Sequence, residues 1–68
     1  MSTFTATLPN GETVTRSSKT MTYRFVIAAE YRTGWAVSWS QTLPAAQKTA
    51  RTAERFAPIS PVAIIPVD

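Results

Sequence analysis

The stretch Thr22–Ser40, TYRFVIAAEYRTGWAVSWS, decides the fold. It contains two runs of strand character on either side of Arg32-Thr33-Gly34. Tyr23, Phe25, Ile27, Ala29 and Tyr31 alternate along the first run; Trp35, Val37 and Trp39 alternate along the second. Alternation of aromatic and β-branched residues with smaller ones is the pattern of a half-buried strand. A three-residue loop ending in Gly34 suits a type I turn followed by a left-handed residue. That loop predicts the pairs Tyr31–Trp35, Ala29–Val37 and Ile27–Trp39, with every large apolar side chain on one face. A loop of two or four residues would reverse the parity, because side chains alternate with a period of two.

Outward from this hairpin, Thr3–Leu8 alternates threonine with Phe4, Ala6 and Leu8, and Pro9-Asn10-Gly11 follows with the residues a turn requires. Glu12–Arg16 returns as a second strand, predicting Thr7–Thr13 and Thr5–Thr15 on one face and Ala6–Val14 on the other. Ser17–Thr20 is a polar connector. The second face of the central hairpin, with Val26 and Ala28 beside Arg24 and Glu30, is mixed, so the first hairpin or a second copy of the chain is expected to cover part of it. After that hairpin, Thr42 is placed to cap a helix with Pro44 in its first turn. From Leu43 to Phe56 good helix formers dominate, and Leu43, Ala46, Ala50, Ala53 and Ala57 recur at helical spacing. This narrow stripe of small residues predicts a helix sitting close on a sheet, its alanines over the aromatic rings of the central hairpin. Ala57-Pro58 ends it. Val62–Val67 reads as a last strand, and Pro61 and Pro66 make it an edge strand, or a central one only between the two prolines. The expectation is one α+β domain over residues 1–68: a single small antiparallel-dominated sheet in the order β-β-β-β-α-β, with one helix packed on one face.

Composition narrows the chemistry. With no cysteine and no histidine, the chain lacks a disulfide, a thiolate, the usual general base and the commonest metal ligand. The four acids, Glu12, Glu30, Glu54 and Asp68, show no spacing that pairs two carboxylates on one face. Two glycines are too few for a phosphate-cradling loop or a dinucleotide fingerprint. A non-enzymatic protein without cofactor or metal is therefore expected. No apolar run reaches the roughly 18 residues of a membrane span, and no signal peptide is read at the start, so a cytoplasmic location is expected. A core of this size, without a covalent staple, makes self-association an attractive support.

Seven basic residues against four acidic ones give a net charge of +3, which admits an acidic partner surface or nucleic acid. Arg24 and Arg32 stand among Tyr31, Trp35 and the other rings of the hairpin, a mixture that can track a backbone and stack bases. The same rings are the bulk the helix needs to cover, and burial in the core is the stronger reading. Lys48, Arg51 and Arg55 share one helix face, either solvated or phosphate-binding. These seven residues (Arg24, Arg32, Tyr31, Trp35, Lys48, Arg51 and Arg55) are the candidate contacts for a partner protein or for nucleic acid.

The segment Thr7-Leu8-Pro9-Asn10-Gly11-Glu12-Thr13-Val14-Thr15-Arg16, the Tyr23-led strand, the Trp-bearing strand, the alanine-rich basic helix and the closing Val62–Val67 run together resemble small accessory proteins of tailed phages infecting actinobacteria. Where that pattern often carries a histidine near the start of the third strand, Arg24 stands, so no role is carried to this position. The resemblance implies a phage-encoded protein in the bacterial cytoplasm that binds a host or phage protein, with interference in a host process as one such role. It implies no catalytic residue. Weak nucleic-acid binding is the alternative.

Overall fold

The structure is a computed structural model describing residues 1–68. Its elements run β1 (Ser2–Thr7), β2 (Thr13–Ser18), β3 (Phe25–Tyr31), β4 (Gly34–Ser40), α1 (Leu43–Glu54) and β5 (Ala63–Pro66). The α+β class and the element order are those expected. The single sheet is not: β1 and β2 form a two-stranded antiparallel sheet, and β4-β3-β5 a separate three-stranded one, also antiparallel.

Strand β3 is central, and four consecutive residues of it, Val26, Ile27, Ala28 and Ala29, are buried. Such a run has no solvent face, so the sheet is covered on both sides. Val26 and Ala28 cluster with Ala6 and Leu8 of the first hairpin, and Val14, Trp35, Val37, Trp39, Ile65 and Val67 pack around them. Ile27 clusters with Ala46 and Ala50 of the helix, joined by Phe25, Val62 and Ile64. The molecule is thus three layers: hairpin, sheet, helix.

This layering follows from a register that differs from the expected one. The β3–β4 loop holds two residues, Arg32 and Thr33, and the pairs are Glu30–Trp35, Ala28–Val37 and Val26–Trp39. Both tryptophans lie on the face opposite Phe25, Ile27 and Tyr31, turned toward the first hairpin and not beneath the helix. The physical reason is that the first hairpin also has an apolar face to bury. With every ring under the helix, Ala6, Leu8 and Val14 would have only small residues to cover; the even loop divides the bulk between both faces. Neither Arg32 nor Thr33 has positive φ, so the turn is not one of the primed types that match strand twist. Gly34 supplies the reversal instead, at φ +126°.

The first hairpin has the expected register, with Thr7–Thr13, Ala6–Val14 and Thr5–Thr15 paired. In its loop Gly11 takes φ +89°, and the Asn10 side-chain oxygen accepts from the Glu12 N–H at 2.9 Å. In the connector, Ser18 Oγ accepts from the Met21 N–H at 2.9 Å. The helix starts as expected: Thr42 Oγ1 accepts from the Ala45 N–H at 3.3 Å, and Pro44 lies in the first turn. It ends two residues early, at Glu54. The N–H groups of Arg55, Phe56 and Ala57 reach back three residues, to the carbonyls of Thr52, Ala53 and Glu54. Ala57 then adopts φ +54° just before Pro58. Of the expected stripe, Ala46 and Ala50 are buried, Ala53 is half-buried, and Leu43 and Ala57 are exposed.

Strand β5 joins the free side of β3 antiparallel, as an edge strand. Beyond it, the Asp68 N–H donates to the Thr5 carbonyl at 2.9 Å and ties the two sheets together.

Two backbone substitutions test these turns. Gly34→Ala would meet no atom within 4 Å of the new Cβ, so its cost is conformational alone, about 1–2 kcal/mol of stability. Ala57→Gly relieves a left-handed alanine and should stabilise by about 0.5–1 kcal/mol. Urea denaturation measures both; equal or reversed signs would contradict the turn geometry.

Candidate binding site

Helix α1 lies mainly over β3, and this leaves the helix-side face of β4 partly uncovered. Ala36 and Ser38 are exposed there, although their β3 partners Ala29 and Ile27 are buried. Between this face and the helix runs a hollow of ≈ 370 Å³. Ala36, Ser38 and Tyr31 line its sheet side; Lys48, Thr52 and Phe56 are among the residues lining its helix side. Phe56 is 71% exposed, a large apolar ring at the mouth of the hollow. A second hollow of ≈ 430 Å³ adjoins it, lined only by the polar residues Lys48, Arg51, Thr52 and Arg55. The two share Lys48 and Thr52, so one surface passes from an apolar trough to a cluster of three cations. Glu54, the one acid of the helix, lines neither.

Helical spacing makes this cluster. Residues 48, 51, 52 and 55 fall on one side of a helix of 3.6 residues per turn, opposite the buried Ala46 and Ala50. Tyr31, at the end of β3, points to the same side of the sheet. Its Oη donates to the Ala53 carbonyl at 2.8 Å, which holds the last helical turn against the sheet.

The seven candidate residues are therefore divided. Lys48 joins Tyr31 in the trough and joins Arg51 and Arg55 in the polar hollow. Arg32 lies in the turn after Tyr31, outside both linings. Arg24 is exposed at the opposite end of β3, where its backbone carbonyl accepts from Val67. Trp35 is half-buried on the other face of the sheet, against the hairpin core. Nor do the basic residues of the sheet half form one surface with the rings. Arg16 instead lies over Tyr23, 4.9 Å from the ring centroid. Tyr23 packs edge-on to Phe4 and tilted against Trp39, with centroids 5.5 and 5.8 Å apart. This is an internal aromatic cluster capped by a cation. Sequence reasoning missed Phe56, Ala36 and Ser38. Phe56 did carry a signal, as a large apolar residue that falls off the alanine stripe.

No group of three or more His, Cys, Asp or Glu side chains is placed to hold a metal ion, and no helix is long and apolar enough to cross a membrane. Comparison of the chain with protein-family models, curated proteins and solved structures finds no match.

The Tyr31 bond positions the wall of the trough. Tyr31→Phe keeps the ring and removes the donor, and should cost about 1 kcal/mol. It should also speed amide exchange in the last turn of the helix. An unchanged denaturation midpoint with unchanged exchange would show that the bond does not hold the helix end.

Proposed function

We propose that the protein is a small non-enzymatic binding module that docks on another protein. We place it among the accessory proteins of tailed phages, acting on a host or phage protein in the bacterial cytoplasm. The observation that carries this reading is the trough between β4 and α1, with the exposed Phe56 ring and Lys48 in its lining, which passes through Lys48 and Thr52 into the cation cluster on the outer face of the helix. An apolar anchor flanked by basic groups is the make-up of a protein contact, in which a ring fills a pocket and surrounding charges set orientation. The absence of histidine and cysteine, and of paired acids in the sequence, supports the same reading by removing the usual catalytic groups.

Nucleic acid is the second reading, favoured by the three converging cations. Against it, Trp35 and Trp39 pack against the hairpin core and offer no open stacking platform.

Immobilised full-length protein, exposed to lysate of an actinobacterial host with and without nuclease, separates the two. The expected result is stoichiometric retention of one protein, insensitive to nuclease and lost in Phe56→Asp. Empty beads, or capture abolished by nuclease, would overturn the proposal.

A further inference from the structure

Strand β4 has one neighbour, β3, and its other edge is open. Which of its main-chain groups face outward follows from the pairing. The Ile59 N–H, in the chain leading to β5, donates to the Glu30 carbonyl at 2.7 Å, and the two-residue loop closes on Tyr31 and Gly34 as a hydrogen-bonded pair, so even-numbered residues of β3 bond toward β5 and odd-numbered ones toward β4. Partnered in this way, β4 turns the N–H and C=O groups of Trp35, Val37 and Trp39 away from the sheet. None of the ten backbone bonds outside the regular elements involves these three residues. The strand is seven residues long, with no charge and no proline. It thus lacks the usual devices that blunt an edge. The β5 edge, by contrast, is short, carries Pro66 and is followed by the bond from Asp68 to β1.

The open edge borders the trough. A strand added to β4 would lie beside Ala36 and Ser38, with alternate side chains on the side of the trough, where Lys48 stands; Arg51 and Arg55 line the polar hollow that Lys48 shares with it. Resting on the reading of the protein as a protein-binding module, we infer that β4 takes up an extended acidic segment of the partner by strand addition. Main-chain bonds to Trp35, Val37 and Trp39 hold it, and its carboxylates meet the helix cations. Charge decides against a second copy as occupant. Two β4 strands paired antiparallel about a two-fold axis would place both helices on the same face and bring two sets of three cations together. A nucleic-acid strand could meet the cations but would leave the edge without the alternating donors and acceptors of a peptide.

The probe is a capped ten-residue peptide of alternating Glu and Val, titrated against the full chain at low salt. Controls are its Lys-Val counterpart, the Glu-Val peptide N-methylated at alternate residues, and a thymidine oligonucleotide. The Glu-Val peptide should bind and slow amide exchange at Trp35, Val37 and Trp39. Alternate N-methylation and the variant K48E/R51E should each weaken it by about tenfold or more, and the Lys-Val peptide should regain binding to K48E/R51E. Absence of binding, binding without protection of those amides, equal binding of the methylated peptide, or tighter binding of the oligonucleotide would each overturn the inference. So would a doubled mass by light scattering that the peptide does not reverse. If the peptide fails while the lysate partner is still retained, strand addition is lost and the binding module stands; if both fail, both are lost.

Discussion

The burial of β3 on both faces is the constraint from which the rest of the structure follows. Val26 and Ala28 point to one layer, Ile27 and Ala29 to the other, and all four are withdrawn from solvent. A chain of this length, with no covalent staple, reaches a sufficient core only by using both sides of its one central strand. Each other element serves one of those sides. The first hairpin brings Ala6, Leu8 and Val14 to the Val26 side; the helix brings Ala46 and Ala50 to the Ile27 side.

The candidate site is a by-product of how unevenly this cover is spread. The large rings Trp35 and Trp39 fill the space toward the hairpin. On the helix side, alanines allow a close approach over β3, while β4 carries only Ala36 and Ser38 there, too small to draw the helix across. The outer strand therefore keeps an uncovered strip, bordered on the helix by Lys48, Thr52 and Phe56, and from Lys48 the cations pass round to the outer face of the helix. Tyr31 fixes the distance between the two walls through its bond to the Ala53 carbonyl. Stability and the shape of the candidate site are linked at that residue.

Much of the fold was legible in the sequence where local chemistry decides. The threonine ladder of the first hairpin, the turn at Asn10-Gly11, the Thr42 cap with Pro44, and the edge position of β5 all follow from residue types and spacing. The central register was not legible. Arg32-Thr33-Gly34 accommodates either parity, and the choice is made by a tertiary requirement: the first hairpin must be covered. The split into two sheets has the same origin, since a hairpin that stacks on a face cannot also pair with an edge. At the site, helical spacing alone brought Lys48, Arg51 and Arg55 together. Tyr31 and Trp35, close in sequence, were separated by the parity of the strands, and Arg24 was lost to the far end of β3. Phe56 joined the site because the helix ends at Glu54 and the chain turns at Ala57, a termination that Pro58 signalled only to within a turn.

The register is most directly tested by cross-strand Hα–Hα contacts in the nuclear Overhauser spectrum of the folded chain. Residues opposite one another without mutual hydrogen bonds bring their Cα atoms to about 4.5 Å. Strong Hα–Hα peaks between Val26 and Trp39 and between Ala28 and Val37 are the result this structure predicts. Strong peaks joining Val26 to Ser40 and Ala28 to Ser38 in their place would report the register shifted by one residue, put the tryptophans beneath the helix and contradict the three-layer architecture.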